Sequence, residues 1–104
     1  MRTTITARHT ELTESLRDRA QAVAERLAEL SPHALEATVL FDEGPLAHRA
    51  EIRLHARGRK LLVGVGEGAD HRTALDRAEE KLRPQLHRAG RPRPKPRRTP
   101  TREA

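Results

Sequence analysis

The chain has 104 residues, with 21 Lys and Arg against 15 Asp and Glu for a formal charge of +6, six histidines, one aromatic residue and no cysteine. That length holds one domain with a modest core, the missing cysteine excludes disulfides and thiolate chemistry, and a lone Phe41 excludes a base-stacking platform, so any nucleic-acid contact must be chiefly electrostatic. No apolar run suits a membrane span, and the opening MRTTITARHTEL lacks the apolar segment of a signal peptide, which sets the expectation of a cytoplasmic protein without membrane contact.

The first segment, RTTITAR, alternates with Thr3, Ile5 and Ala7 on one side, as a short strand does. Thr13 is placed to cap a helix whose early Glu14 and Asp18 suit the macrodipole. Leu16, Ala20, Val23, Leu27 and Leu30 then recur at helical spacing as one apolar stripe. Arg19 and Arg26 fall along one edge of that stripe, and Glu14, Asp18 and Glu25 lie on the far side.

From Leu35 the period changes to two, with Leu35, Ala37, Val39 and Phe41 on one face. DEGPLA interrupts the run, and a second strand places Ala50, Ile52 and Leu54 inward and Arg49, Glu51, Arg53 and His55 outward. Gly58 marks a hairpin turn into KLLVGVGE. Asp70 caps the last helix, whose core stripe is Leu75, Ala78, Leu82 and Leu86, with Pro84 roughly opposite and expected to bend it. The order is β-α-β-β-β-α. The three later strands follow at hairpin distance and form an antiparallel meander with one wet face, and both helices cover the apolar face. The expected fold is an α+β two-layer sandwich with a four-stranded sheet.

Residues 1–88 make up that domain. Residues 89–104 hold six basic side chains against Glu103, a surplus of +5, so the domain itself is nearly neutral. A proline-rich basic segment cannot bury enough apolar area to offset its ordering entropy. It reads as a disordered tail, either a plain solubilising extension or a phosphate-seeking arm through Arg91, Arg93, Lys95, Arg97 and Arg98.

Gly64, Gly66 and Ala69 fit the pattern G-x-G-x-x-G/A of dinucleotide loops. The context is wrong, because such a loop needs a parallel strand after the helix and an acid roughly 20 residues on, and here RAGRPRPKPRRTPTREA follows. The glycines read instead as a strand-to-helix turn needing positive φ. Among the histidines, His48 and His55 point to opposite faces of one strand, His71 and His87 are far apart on one helix, and His9 and His33 flank another. No spacing suits a metal or a cofactor. Glu79 and Glu80 diverge by about 100°, and Ser15 and Ser31 sit at helix ends, so no catalytic residue, enzymatic activity or small-molecule substrate is expected.

Basic residues are more coherent. Arg77, Lys81 and Arg88 fall within about 40° on the last helix. Arg49, Arg53, Arg57, Arg59 and Lys60 gather on the central hairpin, opposed by Glu51. Such areas suit a polyphosphate partner, or they are ordinary wet faces laced with acids such as Asp76 and Glu80.

Two stretches, ITARHTELTESLR at 5–17 and GEGADHRTALDRAEEKLRPQL at 66–86, carry a resemblance to the ribosome hibernation promoting factor family, also called ribosome-associated inhibitor or sigma-54 modulation proteins. The match rests on the Thr-capped helix with its Leu-Arg pair, and on Asp70, Ala74, Leu75, Asp76, Lys81, Leu82, Gln85 and Leu86. The resemblance implies the same β-α-β-β-β-α domain. It also implies a silencer of translation in stationary or starved cells, lodged in the mRNA and tRNA channel of the small ribosomal subunit, with 16S rRNA and the 70S ribosome as partners and a monomer off the ribosome. Lys81 transfers most directly, and Arg8 stands where the family has a basic residue after its first strand. The candidate rRNA-binding set is Arg8, Arg19, Arg26, Arg72, Arg77, Lys81, Arg83 and Arg88, with Arg49, Arg53, Arg59, Lys60 and the tail cations as secondary contacts. The chain departs from the pattern at Arg19 and Arg72, where aromatic residues are common, at Ala22 and Val23, where lysines are, and at Pro84, where Arg is frequent. Two other readings stay open: a protein-interaction module of the same fold, and a tail-driven nucleic-acid binder without ribosome preference.

Overall fold

The structure is a computed structural model describing residues 1–58 and 60–90, without the side chains of 88–90. Six elements follow in order: β1 (Arg2–Arg8), α1 (Glu14–Leu30), β2 (Ala34–Glu43), β3 (His48–Ala56), β4 (Lys60–Gly68) and α2 (His71–Gly90). The sheet order is β1-β2-β3-β4. Its first pair is parallel and the others antiparallel, so the sheet is mixed. A parallel pair needs a crossover, and α1 supplies it.

Period-two and helical patterning meet in one core. Ala37, Val39 and Phe41 of β2 and Ala50, Ile52 and Leu54 of β3 are fully buried beneath Val23 and Leu27 of α1 and Leu75 and Leu82 of α2. Both helices therefore lie on one face, as the two-layer α+β expectation requires. The helix starts are fixed by side chains: Thr13 Oγ1 accepts from the Leu16 amide at 3.2 Å, and Asp70 Oδ1 accepts from the Thr73 amide at 2.7 Å. Leu35 departs from the expected inward face and is 55% exposed, because a register shift between Ala34 and Glu36 breaks the alternation at the start of β2.

The glycines of LLVGVGEG also differ from expectation. Gly58, in the β3–β4 turn, has the positive φ, at 82°. Gly64 and Gly66 sit inside β4, on the face that α2 covers. A Cβ on Gly64 would overlap the Ala78 carbonyl oxygen, and one on Gly66 would overlap the Ala74 carbonyl oxygen and the Ala78 nitrogen. Their role is close approach, which lets the α2 backbone rest directly on the strand. α2 continues through Pro84, whose exposed position leaves the core stripe intact. Among the described residues no helix is long and apolar enough to cross a membrane.

Candidate nucleic-acid interface

Seating α2 on glycine brings its flank down to the outer edge of β4, the last strand of the sheet. Bare strand edges present unpaired backbone groups, and here side chains from α2 meet them. Gln85 Nε2 donates to the Val63 carbonyl at 2.7 Å and to the Lys81 carbonyl at 3.3 Å, and Arg77 Nη1 donates to the Glu67 carbonyl at 2.7 Å. Between helix and strand edge lies an open recess of about 420 Å³ lined by Val65, Glu67, Arg77 and Lys81.

The opposite flank of α2 faces α1 and carries a different chemistry. Arg19 Nη2 donates to both carboxylate oxygens of Asp76, at 3.0 and 3.3 Å. Arg26 binds Glu79 in a fork, Nη2 to Oε1 at 3.0 Å and Nε to Oε2 at 3.2 Å, and Arg83 Nη2 reaches Oε2 at 3.3 Å. Glu79 is only 7% exposed beneath these two guanidiniums. Its hydrogen bond raises Arg26 above the ordinary guanidinium value, overriding the opposing effect of desolvation. Arg19 Nε is buried without a hydrogen-bond partner.

On the outer sheet face, Glu51 is 8% exposed, accepts a hydrogen bond from Arg53 and lies 3.6 Å from Arg49. Arg8, at the end of β1, pairs with Asp42 at 3.2 Å, and His9 Nδ1 lies 3.1 Å from the same carboxylate. The Asp42 carboxyl is held below the usual range, first by His9, then by the Glu43 amide and by Arg8. Arg57 and Lys60 flank the hairpin turn and are exposed.

Arg77 and Lys81, set on one helix face by their spacing, do meet at one site. Arg19, Arg26, Arg49, Arg53 and Arg83 do not join it, since acids hold them elsewhere. No ion pair within 4.0 Å forms at Arg72, Arg77 or Lys81 among the described residues. The Arg88 side chain and Arg59, Arg91, Arg93, Lys95, Arg97 and Arg98 lie outside the described residues. The helix-to-helix pairing escaped sequence reasoning because its partners are 53 and 57 positions apart. A trace existed: Arg19 and Arg26 border one apolar stripe as Asp76, Glu79 and Arg83 border the other. His48 and His71, compared only along their own elements, meet edge to face at 4.4 Å.

None of the curated proteins compared matches the sequence. The crystal structure of the Thermus thermophilus Protein Y N-terminal domain superposes with a TM-score of 0.76 at 30% identity, covering 86% of this chain and 99% of that one. A ribosomal subunit interface protein from Coxiella burnetii shares the fold with a TM-score of 0.78 at 17% identity, over 86% of this chain and 97% of that one. The family model described as sigma 54 modulation protein / S30EA ribosomal protein matches residues 3–92, and with the shared β-α-β-β-β-α fold it follows that the chain belongs to that family.

Proposed function

We propose that this protein binds the ribosome and silences translation without catalysis, occupying the mRNA and tRNA channel of the small subunit through contacts to 16S rRNA phosphates. Its family and its likeness to a Protein Y domain support ribosome association. The observation that carries the surface is the flank of α2 at the β4 edge, where Arg77 and Lys81 have no acid ion-paired to them among the described residues. A helix fixed on a strand presents these cations from an ordered backbone, so phosphate contact there orders side chains and not main chain. On this reading the protein is a cytoplasmic monomer off the ribosome, acts in starved or stationary cells, and reaches along RNA with its basic tail.

Charge reversal tests the surface. Arg77→Glu with Lys81→Glu should lower retention on purified 70S ribosomes in a sedimentation assay by about tenfold or more at near-physiological salt, since each lost phosphate contact also reduces the salt slope by about one. Glu14→Lys with Glu25→Lys, on the far side of α1, should leave retention unchanged. Equal retention of the two variants removes Arg77 and Lys81 from the interface. Retention that is insensitive to salt favours the protein-interaction reading, for which the outer sheet face offers exposed Leu61 beside half-buried Val63 and Val65.

A further inference from the structure

Phosphate attraction does not explain one wall of the recess at the β4 edge. Glu67 stands there beside Arg77 and Lys81. A carboxylate at that place repels phosphate and weakens an anion site. Arg77 does not neutralise it by hydrogen bonding, because the guanidinium donates to the Glu67 main-chain carbonyl. Arg49 lies opposite Glu67 across the sheet, but its side chain turns to Glu51. The recess therefore combines an acceptor that holds no donor among the described residues, two cations and the half-buried side of Val65. Its volume of about 420 Å³ falls in the range that holds one small planar ligand.

We propose that this recess takes one unstacked guanine of single-stranded RNA, its N1–H and N2–H edge on the Glu67 carboxylate and its phosphate on Lys81. Guanine presents two adjacent N–H donors, which match the two oxygens of a carboxylate. Adenine and cytosine set their amino group beside an acceptor nitrogen, and uracil sets its single N–H between two carbonyls, so each brings a lone pair against Glu67. Arg77, tied to the strand, keeps the walls apart. This inference rests on the RNA-binding reading above.

Fluorescence anisotropy with labelled oligouridylates of about eight nucleotides, carrying one central G, A or C, tests it at moderate salt. The G-containing oligomer should bind about fivefold tighter than the others. Glu67→Gln should abolish that preference while leaving all-U affinity equal or higher, and Lys81→Gln should weaken every oligomer alike. Equal affinities, a preference that survives Glu67→Gln, or no binding of any oligomer overturns the proposal. If ribosome retention persists in the sedimentation assay while the oligomers bind equally, the recess proposal falls and the ribosome reading stands. A guanine preference without ribosome retention has the opposite meaning.

Discussion

Asp70 shows how one side chain sets the start of the helix that carries the proposed site. Its carboxylate accepts from the Thr73 amide, and this hydrogen bond, then the Thr73 hydroxyl, then nearby His48 and Arg72, lower its pKa below the ordinary carboxylate value. A group whose folded pKa is depressed stabilises fully above its unfolded value of about 3.9 and loses that contribution as pH falls through the folded value. Asp70→Asn keeps a capping oxygen and removes the titration, so it should match the parent near neutral pH and show a shallower acid limb in a stability-versus-pH profile. Asp70→Ala, which removes the capping oxygen altogether, should be less stable than the parent near neutral pH by chemical denaturation. An acid limb unchanged in Asp70→Asn would assign the proton uptake to other groups, of which Asp42 is the first to examine. Both caps were legible in the sequence, because a Thr or Asp immediately before a helical stripe has a local meaning.

At the scale of elements, the packing of α2 on β4 is the feature on which the proposed interface depends. Gly64 and Gly66 alternate along the strand opposite Ala74 and Ala78, so that backbone meets backbone. Gly66→Ala is expected to destabilise the fold by about 1–3 kcal/mol in urea denaturation with an unchanged m-value, because the atoms it meets, two of the helix main chain and the Arg77 Cβ, cannot rotate aside. A variant as stable as the parent would show that α2 can lift from the strand at little cost. The strands, helices and their order were readable from periodicity, since each element carries its own apolar pattern. The reason for the glycines was not, because turn and close-packing glycines look alike until the helix is placed above them. The outward turn of Leu35 was hidden in the same way, since a bulge belongs to the pairing of two strands and not to either alone.

Across the whole molecule, pairing decides which positive charges are available. The sequence shows 21 basic residues without showing which of them carry an acid. Folding spends Arg19, Arg26 and Arg83 on the α1–α2 seam, Arg49 and Arg53 on Glu51, and Arg8 on Asp42. What remains at the α2–β4 edge is a compact site, smaller than the candidate set drawn from composition and resemblance. Arg77 and Lys81 were legible because four residues separate them on one helix. Glu67 was not, because it joins them only through the pairing of β4 with its neighbours and the seating of α2. The family was legible too, since its motifs lie mostly in the two capped helix starts and the α2 stripe.

In the proposed function, this surface lodges against rRNA in the small-subunit channel. Chemical footprinting of 16S rRNA in purified small subunits, with and without the protein at near-physiological ionic strength, would locate it. Protection confined to the mRNA and tRNA channel, lost in the Arg77→Glu, Lys81→Glu variant, is the predicted result; protection elsewhere on the subunit, or none, would contradict it.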